Sequence, residues 1–202
     1  MTFQIIIFQI IVLVFSAIIH EYMHGWMADR LGDSTAKDAG RLTLNPIPHL
    51  DLFGSILLPA MLVLSNVGFV FGWANPVPFN PYNLSDKKYG SAKVALAGPL
   101  GNLIVALFFG LILRFINLPS QELAMLFAMI VQINLLLMVF NLVPIPPLDG
   151  SKVIMPFLPA SIQENMIKLE KYGMFIVLLF IMFGFSIVIP IINFLFRVIV
   201  GI

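Results

Sequence analysis

Crossing about 30 Å of hydrocarbon takes roughly 20 apolar residues in a helix. Four stretches of this chain reach that length: Gln4–Met27, Lys93–Phe115, Glu122–Val143 and Tyr172–Pro190. Nothing else constrains the fold as strongly. A backbone surrounded by lipid must satisfy its own N–H and C=O groups, which leaves helices or closed barrels, and continuous apolar runs of this length read as helices. The chain is 60% apolar and only 10% charged, where soluble domains carry roughly a quarter charged residues. The expectation is an all-α polytopic membrane protein with a single domain over residues 1–202, since no repeat or disordered linker divides it. The first apolar run has no charged leader and no small-residue cleavage site, so it reads as a retained anchor.

The connections are less regular. Leu52–Gly72 is apolar but holds Pro59 and the polar run Ser65-Asn66-Val67-Gly68. Gly40-Arg41-Leu42-Thr43-Leu44-Asn45-Pro46 alternates and closes on proline, which predicts a short strand. Phe69 to Pro81 is aromatic and Pro-rich, so it is expected to be extended rather than helical. Irregular backbone this apolar is tolerated near a membrane when it is buried in protein or lines a wet cavity, which makes both stretches candidate walls of a groove. Beyond Pro190, Ile191–Ile202 reads either as the second half of a kinked helix or as a short interfacial one.

The chemistry sits in the first span. His20-Glu21-Tyr22-Met23-His24 puts two imidazoles and a carboxylate at membrane depth, where ionisable groups are costly and mark function. Four residues apart on a helix, His20 and His24 share a face and can reach one metal ion, with Glu21 beside them as a candidate general base. A chance match in an apolar helix is far less expected than a zinc site. Two histidines leave a catalytic zinc one protein ligand short. The remaining candidates are His49 and the other acids. Among them Asp149 stands out, because Pro144, Pro146, Pro147 and Gly150 surround it with rigid, helix-breaking backbone. Asp-Gly is also an ordinary turn dipeptide, and His49 reads equally as an interfacial residue beside Asp51. With no cysteine, thiolate ligands and cysteine nucleophiles are excluded. A net charge of +1 without a basic cluster gives no sign of nucleic-acid binding.

His20-Glu21-x-x-His24 in a membrane helix, Ala97-Gly98-Pro99-Leu100-Gly101-Asn102 in a later one, and Asn141 followed by the Pro-rich Leu148-Asp149-Gly150 together resemble the site-2 protease family of intramembrane zinc metalloproteases, peptidase family M50. The likeness covers most of Gln4–Gly150 and is to a compact form without a PDZ domain. It implies a core of three helices (about 4–27, 93–115 and 122–143), a re-entrant region with short strands (about 40–80) and one or two C-terminal helices (172–202). It implies one Zn2+ per chain held by His20, His24 and Asp149, with Glu21 as general base. Asn102 and Asn141 would help to hold substrate or transition state, although both could be interhelical hydrogen-bonding residues instead. The implied partners are the bilayer and a transmembrane substrate, such as an anti-sigma factor-like regulator or a signal-peptide remnant. The implied setting is a bacterial or archaeal cell membrane.

Sharing one metal fixes the topology. The C-terminal ends of the first span and of Glu122–Val143 must lie on one side, here called A, so Leu52–Gly72 begins and ends on A and is expected to be re-entrant rather than crossing. Nine of the eleven Lys and Arg residues (all except Arg114 and Arg197) then fall on A, which makes A the cytoplasm by the positive-inside rule. The competing function is an ion or metal transporter using the same His/Glu/Asp cluster. The repeats and dispersed polar residues expected of a transporter are not evident.

Overall fold

The computed structural model describes residues 3–57, 61, 65 and 75–201. Helix α1 (Phe3–Arg30) ends where Gly32 adopts a left-handed φ of 99°. A single turn, α2 (Thr35–Asp38), follows. Helix α3 (Gly90–Phe115) starts after Asp86, whose carboxylate accepts from the Lys88 and Tyr89 N–H groups and pairs with Lys93 at 2.7 Å. Ser120 caps α4 (Gln121–Asn141) by accepting from the Leu123 N–H. Two short helices, α5 (Asp149–Ile154) and α6 (Ala160–Glu170), lead to α7 (Gly173–Val200). Among the described residues four helices, α1, α3, α4 and α7, are long and apolar enough to cross a membrane.

Helix α3 is the hub, and its composition explains why. Lipid is as apolar as leucine, so helices in a bilayer associate through close packing and polar contacts rather than hydrophobic burial. Gly98, Asn102, Ala106 and Gly110 recur every fourth residue along α3 and are all buried. This stripe of small residues and one amide lets α1, α4 and α7 approach. His24 meets Val94 and Ser16 meets Asn102, so α1 and α3 are antiparallel. Asn102 meets Asn134 and Phe109 meets Phe127, so α3 and α4 are antiparallel too. At the far end Ala106, Val131 and Leu135 pack against Val188, Ile192 and Ile199 of α7, and Arg114 donates to the Val198 carbonyl at 2.9 Å. The end of α1, the start of α3 and the end of α4 therefore share one side, and the connection 31–89 begins and ends there.

Of the two alternatives for Ile191–Ile202 the structure takes the continuous helix, and Pro190 does not end the last span. It removes one hydrogen bond, to the Ser186 carbonyl, but the helix runs on to Val200 through a π-turn at Phe180–Gly184, because in hydrocarbon the helix is the way to satisfy the remaining backbone. The strand expected over 40–46 is a string of bends, with Asn45 and Thr43 side chains closing local turns at 3.1 Å, and no strand occurs among the described residues. Asn75–Asn80 is extended but lies alone. Most of Leu52–Gly72, and 69–74 of the Pro-rich stretch, lie outside the described residues. Leu52–Leu57 forms a π-helical turn capped by Asp51, which accepts from the Gly54 N–H at 2.5 Å.

Asp33, fully buried just past α1, ties this side together. Its Oδ1 accepts from Thr35 Oγ1 (2.5 Å) and Asn83 Nδ2 (2.9 Å), and its Oδ2 from the Asn80 N–H (2.6 Å). Burial alone would raise its pKa, but the hydrogen bonds from Thr35, Asn80 and Asn83 outweigh it and hold the carboxyl below its ordinary value. A depressed folded-state pKa means the stabilisation is present above the unfolded value of about 3.9 and is lost as pH falls through the folded one. Asp33→Ala is expected to cost about 2–4 kcal/mol near neutral pH, since it leaves buried donors without an acceptor. The gap to wild type should close in acid, and thermal unfolding in detergent across pH checks both expectations.

Candidate active site

The site forms where the end of α1, the start of α3 and the loop after α4 meet. His20 and His24 rings lie 4.6 Å apart at 86°. Each has one nitrogen committed away from the cavity. His24 Nδ1 is 2.7 Å from the Val94 carbonyl oxygen, which can only accept, so Nδ1 carries the proton. For His20 a longer chain of hydrogen bonds leads to the same result. Asn134 Nδ2 donates to the Ile130 carbonyl, so its Oδ1 faces Asn102. Asn102 Nδ2 donates both to that oxygen and to the Ser16 carbonyl, each at 3.0 Å. The Asn102 amide oxygen is thereby turned to His20 Nδ1, 2.7 Å away, and must accept. Both imidazoles thus carry a proton on Nδ1, which leaves the Nε2 lone pair of each for a proton or a metal.

Those lone pairs converge. His20 Nε2 and His24 Nε2 lie 3.0 Å and 3.2 Å from the same oxygen, Oδ2 of Asp149. Two neutral imidazole lone pairs and a carboxylate turned toward one point repel unless a proton or cation lies among them. Ligand atoms about 2.0–2.1 Å from a tetrahedral zinc lie about 3.3 Å from one another, close to the spacings observed. The donor set fits a divalent metal in type, number and spacing. Glu21 has a carboxylate oxygen within 4.8 Å of the histidine nitrogens, but its Oε2 accepts from the Val77 backbone N–H at 2.8 Å.

Two glycines permit this proximity. A Cβ at Gly98 would stand 2.5 Å from His24 Nε2 and 2.7 Å from His20 Nε2, so only glycine lets α3 back the imidazoles. A Cβ at Gly150 would collide with the Leu142 and Val143 carbonyls, so glycine lets the loop 142–148 fold back and deliver Asp149 at the first turn of α5.

The cavity is walled by Pro76, Val77 and Phe79 on one side and by Pro147, Leu148 and Lys152 on another. Asn141 lines it and spends one amide proton on the Leu137 carbonyl. Asn102 does not line it: fully buried, it stands behind His20. His49, also fully buried, is outside it. Its Nε2 donates to the Thr43 carbonyl at 2.8 Å, and its own carbonyl accepts from the Asn75 N–H. Sequence reasoning did not single out Asn134 or Lys152, and it placed Val77 on a candidate groove wall without its bond to Glu21. Asn134 carried a signal, as a lone amide inside an apolar run, and Lys152 another, as a cation one turn past Asp149. A backbone N–H carries none.

A profile of peptidase family M50 matches residues 115–185. Over 196 residues the chain is 39% identical to YwhC of Bacillus subtilis strain 168, covering 92% of this chain and 86% of that protein. It is 30% identical over 164 residues to Rip2 of Mycolicibacterium smegmatis, covering 80% of this chain and 61% of that protein. Both relatives bear names that assign them provisionally to the zinc metalloproteases. No solved structure matches. With identity at this level along nearly its whole length, this chain belongs to peptidase family M50.

Proposed function

We propose that the protein is an intramembrane zinc metalloprotease that hydrolyses a peptide bond within or next to a transmembrane segment of another membrane protein. His20, His24 and Asp149 are the metal ligands and Glu21 the general base. The observation that carries the reading is the pair of imidazole lone pairs aimed at one carboxylate oxygen at the end of a membrane bundle. Zinc held there supplies a Lewis acid that polarises the scissile carbonyl and lowers the pKa of a water toward ~7.

The chain's own residues supply the rest. Glu21, with Oε2 occupied by Val77, has Oε1 to take a proton from the attacking water and pass it to the departing amine. Asn141, on the cavity wall with an amide proton to give, donates to the developing oxyanion. Asn102 acts through His20, holding its tautomer and ring plane, rather than by touching substrate. A helical substrate has its carbonyls already hydrogen-bonded, so the segment to be cut must unwind before it enters. The substrate is a membrane-tethered regulator, such as an anti-sigma factor, or a signal-peptide remnant, and the process is regulated intramembrane proteolysis. With nine of eleven cations on the site's side, the active site faces the cytoplasm of a bacterial or archaeal cell membrane. That both ends of the 31–89 connection lie on this side supports a re-entrant Leu52–Gly72.

The reading is tested in proteoliposomes with a single-pass substrate. Glu21→Gln should keep stoichiometric zinc and lose about 10²- to 10⁴-fold in turnover; equal cleavage by the variant would sink the protease reading. Gly98→Ala, which drives a methyl into both imidazoles, should lose zinc outright on metal analysis. Asn102→Ala should weaken zinc binding by about 10- to 100-fold and recover activity in excess zinc, whereas Asn141→Ala should keep its zinc and lose turnover that added metal does not restore.

A further inference from the structure

The carboxylate read as the general base is held by backbone. Val77, whose N–H meets Glu21 Oε2 at 2.8 Å, lies in the extended strap 75–80 along the cavity wall. This strap cannot hold itself by pairing. Pro76 and Pro78 have no N–H to give, and no strand accompanies it among the described residues. It is pinned from outside instead. The Asn75 N–H reaches the His49 carbonyl at 2.8 Å, and the Asn80 N–H reaches Asp33 at 2.6 Å. Between these pins, Arg41 Nη2 donates to the Asn75 and Pro76 carbonyls at 2.8 and 3.3 Å.

The Pro76 carbonyl and the Val77 N–H belong to one planar trans peptide, so they point in opposite directions. Arg41 grips the oxygen of that plane and Glu21 accepts from its hydrogen. A cation on the carbonyl both fixes the plane and polarises the N–H toward the carboxylate. Arg41 has no carboxylate partner among the described residues, and its Nε is buried without a hydrogen bond, a costly placement for a side chain that could otherwise be solvated. Arg41 lies outside the cavity lining.

We propose that Arg41 is a positioning residue for the reaction: by clamping the Asn75 and Pro76 carbonyls it sets the Val77 N–H and, through it, the Glu21 carboxylate. This rests on Glu21 acting as the general base. The variants Arg41→Ala, Arg41→Lys and Glu21→Asp, with the double variant Arg41→Ala/Glu21→Asp, are compared for kcat, KM and zinc content on a single-pass substrate. Because the chain has no cysteine, Val77→Cys gives one thiol, buried in the wild-type strap, whose alkylation reports release of the strap.

Arg41→Ala should lower kcat by about 10- to 100-fold with zinc retained, and KM should move by less than about threefold. It should also turn the Val77→Cys thiol from protected to reactive. Arg41→Lys, which keeps a cationic donor, should recover most of the rate. In the Glu21→Asp background, where the shortened carboxylate no longer reaches Val77, loss of Arg41 should cost little more. Wild-type kcat in Arg41→Ala overturns the proposal, as does a thiol that stays protected or a full repeat of the loss in the Glu21→Asp background. If Glu21→Gln itself cleaves, the general-base reading fails first, and the alkylation result separates that failure from a failure of the clamp.

Discussion

The proton on His20 Nδ1 governs what the rest of the site can do. Hydrogen bonds from Asn134 to the Ile130 carbonyl, from Asn102 to Asn134 and to the Ser16 carbonyl, and from His20 to Asn102 leave one consistent arrangement. Each member is anchored to a helix carbonyl that can only accept. The network spans α1, α3 and α4, so the helix packing and the tautomer are one structural fact. Away from water a half-satisfied network is worse than none, and both amide protons of Asn102 are used. His20 Nε2 turned toward Asp149 is the consequence.

A second economy operates in the loops. Apolar connections beside a membrane need partners for their backbone, and prolines reduce the number of donors that must be matched. The strap 75–80 has prolines at 76 and 78, and the loop before Asp149 has them at 144, 146 and 147. What remains is met by side chains rather than by strand pairing: Asp33, Arg41 and Glu21 each take up main-chain groups of the strap. A sheet edge is replaced by a few charged anchors.

Three of the four spans were legible to within about three residues because hydrocarbon thickness leaves little choice of length. That Asp149 meets the histidine pair was legible for a different reason: a costly pair in a span called for a further partner, and one carboxylate sat in rigid backbone. What stayed hidden shares a cause. Alternation over 40–46 resembled a strand, but pairing needs a neighbour with free donors, which spacing cannot supply. Pro190 left a break and a continuing helix both open, because sequence does not reveal that the helix beyond it stays in contact with α4. Asn102 was visible as an amide in a span, yet only coordinates tell that its oxygen and both protons are spent inside the bundle. Val77 was visible as part of a Pro-rich candidate wall, but not its bond to Glu21, since that contribution is an N–H that every non-proline residue has.

The walls of the cavity are uneven in hydrogen-bonding groups. Pro76 and Pro147 have no N–H to offer. Beyond the histidines, the lining side chains with hydrogen-bond donors are Asn141 and Lys152, both near Asp149. The Pro76 carbonyl is already taken up by Arg41, which stands outside the cavity. The wall formed by the strap therefore offers shape more than hydrogen bonds, and the polar chemistry of the cavity gathers where the imidazoles, the two carboxylates, Asn141 and Lys152 lie.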